Sequence, residues 1–378
     1  MKFWTYSTLL VLTAIVLLGA CRKSSTNQNA NASSSGTMQD TLGGGAAPAG
    51  DKFYFRGAIN YNLKVEMTLV RDGERLTGTY FYPRVGKNID LKGTVSNGNV
   101  DLRESDETGK ETGVFKGKWT SNPMGLAEIE GKWSRPDGSK ETDFQVSQQA
   151  IELQTAVRVV PKVIRDANKK SLYSVDAEYP EIQGDTRFDK FNQEARAMIT
   201  KDVAAFKSSE TAEEPDETSD LPAETQTSTL DISYQIRFAT EELISVEFHE
   251  GQYSRGAAHG SSYTAVLNYD VKNGRKISLA DLFNPKSNYL SVLSTYSSKD
   301  LKEKLKKDEM LDEDMVKSGT EPRADNYAAW TITRKGLWIT FDPYQVAAYA
   351  AGPQHVLVPY SALKDIIKPD GPVGRLAG

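Results

Sequence analysis

The chain has 378 residues, with 46 Lys and Arg against 51 Asp and Glu, a formal net charge of −5 that excludes general nucleic-acid binding. It holds one cysteine, so no intramolecular disulfide is available and burial of a core must hold the fold together.

The N-terminus carries Lys2, then an apolar run from Leu9 to Leu18, then Leu17-Leu18-Gly19-Ala20-Cys21. A basic start, a core too short for a comfortable membrane span and small residues before a cysteine resemble the lipobox of a bacterial lipoprotein signal peptide. That resemblance implies cleavage before Cys21, diacylglycerol on its sulfur and attachment to a membrane through lipid rather than through a helix. Loss of residues 1–20, whose only charge is that of Lys2, takes the net charge from −5 to −6. Arg22 and Lys23 follow Cys21 where some inner-membrane lipoproteins carry aspartate, which points to the cell envelope and, where there is one, to the outer membrane. Residues 21–50 are rich in Ser, Asn and Gly and read as a lipidated cysteine on a flexible spacer.

Residues 51–150 form a β-rich domain. Short alternating runs are broken by the turn pairs Asp72-Gly73, Asn97-Gly98 and Asp137-Gly138. A loose apolar-x-Gly-x-apolar repeat runs through Phe55/Gly57/Ile59, Leu76/Gly78/Tyr80, Leu91/Gly93/Val95, Phe115/Gly117/Trp119 and Ile129/Gly131/Trp133. Residues two apart share one face of a strand, so each unit turns two large side chains and a glycine inward. Glycine there allows sharp bending. The expectation is an all-β meander curled into a small barrel or half-barrel, its aromatic rings filling a core.

Residues 151–370 bring helices into the pattern. A strand and connection occupy 151–170, and helical spacing of Phe188, Phe191, Ala195, Met198, Ile199, Val203 and Phe206 predicts a helix over 186–207. Residues 208–226 contain Glu210, Glu213, Glu214, Asp216, Glu217, Asp220 and Glu224 without a basic residue, an acidic excursion that concentrates the protein's negative charge. Strands are predicted over 230–238, 243–253 and 263–271, a second helix over 288–306, strands near 330–334 and 337–341, and a closing helix near 361–367. Together they predict an α+β domain, an antiparallel sheet with two to three packing helices.

Three histidines, His249, His259 and His355, invite a metal-assisted hydrolase built on His249, His259 and a carboxylate, but no zinc-binding spacing is present. The alternative is a histidine held in a glycine-rich turn by backbone hydrogen bonds. No Gly-x-Ser-x-Gly elbow, phosphate loop or dinucleotide fingerprint occurs, so the expectation is a protein that is not an enzyme and needs no cofactor.

Several segments occur in a characteristic order: Tyr179 to Gly184 followed by Phe188 and Asn192; Ser245-Val246; Gly256 to Gly260; Asn268 to Asp270; Gly274 to Phe283; Gly336 to Phe341; and Tyr344 to Tyr360. They resemble the extracytoplasmic domain shared by RsiV-type anti-sigma factors and the non-catalytic part of PdaC-type peptidoglycan deacetylases. The resemblance implies an α+β binding domain outside the membrane without catalytic residues of its own. In the anti-sigma branch it is a receptor for lysozyme; in the deacetylase branch it accompanies an enzyme domain. This chain departs from both, with neither a transmembrane helix leading to a sigma-binding part nor a deacetylase domain. The expected partner is a basic protein such as lysozyme, or a cell-wall glycan. A basic partner would be steered by Glu213, Glu214, Asp216 and Glu217. Tyr253, His259, Tyr263, Tyr344 and Tyr349 are the candidate contact residues, with internal packing as the alternative for the tyrosines. A structural or assembly lipoprotein remains a further class.

Overall fold

A computed structural model of the chain describes residues 50–153, 157–169, 172–210 and 226–378. Cys21 and the acidic residues Glu213, Glu214, Asp216 and Glu217 lie outside the described residues. Among the described residues no helix is long and apolar enough to cross a membrane.

The first eight strands are β1 (Asp51–Ile59), β2 (Leu63–Asp72), β3 (Arg75–Phe81), β4 (Ile89–Ser96), β5 (Asn99–Ser105), β6 (Glu111–Ser121), β7 (Ala127–Ser134) and β8 (Thr142–Gln149). They pair in sequence order, and β1 closes on β8, so the meander is a complete barrel. The glycine repeat explains the tight closure. A Cβ on Gly57 would lie 1.9 Å from the Gln145 carbonyl oxygen, and one on Gly131, which faces Gly117 across the β6–β7 pair, would lie 2.1 Å from that of Lys116. Only glycine permits such approach. Flanking residues of the repeat, Phe55, Ile59, Leu76, Tyr80 and Phe115 among them, fill the barrel's interior. Phe115 stands edge-on to both Tyr80 (5.5 Å) and Phe144 (5.0 Å).

Beyond the barrel, β9 (Arg158–Asn168), β10 (Tyr173–Gln183), α1 (Asp189–Ser209), β11 (Ser228–Ala239), β12 (Leu243–Tyr253), β13 (Ser261–Asp270) and the two-residue β14 (Arg275–Lys276) build a sheet in the order β14-β13-β12-β11-β10-β9. One pair, β10 with β11, is parallel, because α1 returns the chain to the same end of the sheet. The buried stripe of α1, Phe191, Ala195, Ile199, Val203 and Phe206, packs on the sheet residues Ile232, Val246 and Phe248.

A second core follows. It is made by α2 (Tyr289–Lys307), α3 (Glu313–Gly319), β15 (Trp330–Ile332), β16 (Gly336–Phe341), β17 (Gln354–Pro359), α4 (Tyr360–Leu363) and α5 (Gly374–Ala377), with β15, β16 and β17 forming a three-stranded antiparallel sheet. The closing helix is a single turn rather than the 361–367 span expected. Buried polar side chains join this core to the first sheet. Ser245 Oγ donates to Asn268 Oδ1 (2.5 Å) and accepts from Ile332 N (2.8 Å), while Asn268 Nδ2 donates to the Trp330 carbonyl (2.8 Å). Both groups are fully enclosed, so losing one strands the other.

The barrel sits on the first sheet through a charged plug. Arg56 of β1, only 8% exposed, donates to Glu178 Oε2 (2.5 Å) and to the Tyr234 carbonyl (2.8 Å), pairs with Glu66 (2.5 Å) and covers the Tyr234 ring at 3.5 Å. Lys64 meets Asp231 at 3.0 Å on the rim of this contact. The chain leaving β8 continues along β11, where Ala150 N donates to the Ile236 carbonyl (3.1 Å) and Ile236 N to Gln149 Oε1 (2.7 Å).

Candidate functional site

The five aromatic residues singled out from the sequence do not all pack internally. At the end of β12, Tyr253 Oη donates to the Ala257 carbonyl (3.0 Å) and shapes the loop that follows. His259 Nδ1 lies 2.8 Å from the Gly260 carbonyl, which also accepts from Tyr349 Oη (2.9 Å). The His259 ring therefore stacks on Tyr349, with centroids 4.4 Å apart, and Tyr344 leans on Tyr349 at 5.5 Å. Tyr344 is 58% exposed and holds a left-handed backbone (φ 70°). Strained and unburied, its ring gains little from the fold itself. Tyr263 stands 55% exposed on β13. The result is a small open platform of rings. Ser228, at the head of β11, accepts a hydrogen bond from Arg255 N (3.0 Å), which ties the chain emerging from the acidic stretch to the loop that carries His259.

His249 lies in a different cluster, so His249 and His259, which the alternative metal-assisted reading would pair, are held by different neighbours. Among the described residues no group of three or more His, Cys, Asp or Glu is arranged to hold a metal ion. His249 instead joins a cluster that the sequence reading missed. Arg237 is the extra residue of a bulge in β11, between the paired Ile236 and Phe238, and the bulge aims it at Glu247 of β12. Its Nε donates to Glu247 Oε2 (2.8 Å), while Glu247 Oε1 accepts from Thr340 Oγ1 of β16 (3.2 Å) and lies 3.5 Å from His249 Nε2. Thr340 Oγ1 is also 3.2 Å from His355 Nδ1, and the His355 ring stacks on Trp338 at 5.0 Å.

Glu247 is 1% exposed, a burial that opposes ionisation, yet the Arg237 guanidinium outweighs it and holds the carboxyl below the ordinary glutamate range. Burial pulls His355 down to about 4 against the attraction of Glu247, and lowers His249 as well. At neutral pH the cluster thus presents two uncharged imidazoles beside an internally neutralised ion pair. Arg237, His249, Trp338 and His355 border a cavity of about 550 Å³ whose far side is the barrel, with Asn122, Pro123 and Met124 of the β6–β7 turn and Glu128 of β7. His249, Ser147 and Gln235 also border a larger groove of about 1010 Å³ that runs along the barrel past Lys64, Lys116 and Lys132.

Comparison with known proteins divides the C-terminal region as the packing does. Residues 167–262, the helix-backed sheet, match the model of the family described as deacetylase PdaC, and residues 280–361, the second core, match a protein of unknown function, DUF3298. The C-terminal region is thus similar to two family models that lie side by side along the chain. A curated relative, the peptidoglycan-N-acetylmuramic acid deacetylase PdaC of Bacillus subtilis (strain 168), is 32% identical over 182 residues, 48% of this chain and 37% of that protein. The chain therefore spans little more than a third of that relative. A DUF3298 protein from Bacteroides fragilis is similar over 59% of this chain and 99% of its own, at 17% identity and a TM-score of 0.44. One from Pseudomonas aeruginosa PAO1 is similar over 56% and 94%, at 18% identity and a TM-score of 0.41. The PdaC match corrects one expectation: with a relative named as a deacetylase, the chain cannot be set down as a non-enzyme.

Proposed function

We propose that this is a cell-wall-related, extracytoplasmic protein, held to the envelope by lipid on Cys21, that binds peptidoglycan glycan through the rings of His259, Tyr344 and Tyr349. The observation that carries the binding role is the exposed, mutually stacked platform, kept open by hydrogen bonds of His259 and Tyr349 to one carbonyl. The C–H faces of a pyranose pack on such rings while its hydroxyls stay hydrated. Similarity to a peptidoglycan deacetylase supports the choice of glycan. The residues after Cys21 favour the outer membrane where one exists.

Sedimentation with insoluble peptidoglycan tests the binding role. The full chain is expected in the pellet, and Tyr344→Ala with Tyr349→Ala in the supernatant. Wild-type protein that stays in solution, yet captures lysozyme at low salt, would replace the glycan by a basic protein as the ligand. Detergent phase partitioning tests the anchor: Cys21→Ser should move the protein from the detergent to the aqueous phase.

A further inference from the structure

We infer that the groove between the barrel and the first sheet is a second binding site, taking an extended chain of linked, uncharged sugars. It rests on the cell-wall reading only for the choice of a glycan. The groove, about 1010 Å³, lies where two folded regions meet, with residues of β6, β7 and β8 on one side and Asp231, Ser233 and Gln235 of β11 on the other. Along β8 it runs from Asp143 to Ser147, roughly 13 Å at the rise of an extended strand. That length outruns a single sugar ring, and Ser147, Gln235 and His249 carry the groove on into the smaller cavity. The shape is that of a site for a chain.

Accessible rings line it. Tyr61, in the turn between β1 and β2, is 84% exposed and follows Asn60 in a left-handed pair (φ 58° and 52°) that Asn60 N ties to the Asp143 carbonyl (2.8 Å). A tyrosine held there is strained and adds nothing to the core, so its ring is free for a sugar face. The His249 side chain is 44% exposed. The Gln145 amide and the Ser147 and Ser233 hydroxyls also line the groove and make no side-chain hydrogen bond among the described residues. Amides and hydroxyls both donate and accept, as sugar hydroxyls do. The charged groups of the lining are satisfied by one another or by near neighbours. Lys132 meets Asp143 at 2.6 Å, Lys64 meets Asp231 at 3.0 Å and Arg56 holds Glu178. Lys116 leans to Asp101 at 4.0 Å, and Lys118, bonded to Asn99 Oδ1 (2.5 Å), faces Glu130 across the β6–β7 pair. No wall presents a field of one sign, so ring contact and hydrogen bonding, not charge, select the ligand.

The test is calorimetric titration of the full chain with N-acetylglucosamine, with tetra-N-acetylchitotetraose and, as a charged chain of the same length, with heparin tetrasaccharide. The chitotetraose should bind roughly tenfold or more tighter than the single sugar, the gain of contacts along the groove, and tighter than the heparin fragment. Tyr61→Ala and Gln145→Ala, both at exposed positions, should each weaken chitotetraose binding roughly two- to tenfold, as the loss of one ring contact or hydrogen bond does. Tyr344→Ala with Tyr349→Ala should leave it unchanged. No binding of chitotetraose, equal affinity for the single sugar, or wild-type affinity in Tyr61→Ala overturns the groove as a site. Tighter binding of heparin tetrasaccharide overturns the uncharged chain as its ligand. Insoluble peptidoglycan engages groove and ring platform at once, so retention on it is expected to need both. A Tyr344→Ala, Tyr349→Ala variant that pellets like wild type would remove the platform alone, and chitotetraose binding insensitive to Tyr61 the groove alone.

Discussion

The barrel and the C-terminal region bury their polar groups in opposite ways. Each barrel strand pairs with its neighbour in sequence, and its interior is apolar apart from Glu104, which accepts from Tyr80 Oη at 2.5 Å and Trp133 Nε1 at 3.1 Å. The C-terminal region threads buried polar side chains between its layers: Glu247 and Thr340 in one place, Ser245 and Asn268 in another. Apolar packing tolerates many solutions, whereas a buried polar group requires its partner in place. The barrel therefore behaves as a rigid body that completes a wall, and the region it leans on holds the positions where chemistry can be specified.

The largest test of that contrast is at the junction. Arg56→Ala would leave Glu66 and Glu178 enclosed without their cation, and a loss of about 3–5 kcal/mol in denaturant unfolding is expected. A loss below about 1 kcal/mol would mean that the barrel is not fixed to the sheet by this plug. Within the barrel, Gly131→Val would drive its side chain into the backbone of Lys116 and Gly117 on β6 and is expected to cost about 1–3 kcal/mol or more by the same measurement.

Ser245→Ala probes the polar join of the two C-terminal cores. It strands Asn268 Oδ1 and Ile332 N, and an expected loss of about 1–3 kcal/mol should come with separate unfolding of the 280–361 part in calorimetry. A single unchanged transition would show that apolar contacts alone couple the cores.

Much of the barrel was legible because its signals are local. Alternation repeats every second residue and the five glycines mark the close strand approaches. β10 was harder to see. It carries Asp176, Glu178, Pro180 and Glu181, and Pro180 is accepted because the pairing with β11 ends at Ala177, leaving the proline opposite Pro161 of β9 alone. The Arg237–Glu247–His355 cluster could not be assembled from spacing. Arg237 and Glu247 are brought together by strand pairing and a bulge, but Thr340 lies 93 residues beyond Glu247 and reaches it only through the packing of two sheets. His249 drew notice beside His259 by nearness along the chain, while the fold placed it with His355 instead. Tyr344, Tyr349 and His259 come together because one turn gathers the two tyrosines and one loop presents the histidine.

The plug also makes a pH prediction. One arginine faces two carboxylates in a dry setting, and burial pushes Glu66 from 4.5 up to about 7, with Glu178 adding to the rise and Arg56 opposing it. The folded protein thus keeps a proton that the unfolded chain has released. Stability should fall as pH rises from about 4.5 through 7, since in that window the native state binds more protons. Glu66→Gln, which mimics the protonated side chain, should flatten that slope in urea midpoints measured across the window. An unchanged slope would assign the proton to another group.

The smallest stability effect belongs to the platform. Tyr349→Ala removes a partly buried ring whose hydroxyl reaches the Gly260 carbonyl and whose face carries His259. Tyr344→Ala removes a ring that is mostly in water and relieves none of the second core, so its effect on unfolding should stay within about 0.5 kcal/mol. If the platform were merely packing, the order of the two variants in stability would match their order in any binding assay. A binding surface predicts otherwise: Tyr344→Ala, nearly silent in unfolding, should lower retention on insoluble peptidoglycan as strongly as Tyr349→Ala. Equal retention by Tyr344→Ala and wild type would return these tyrosines to the role of loop supports.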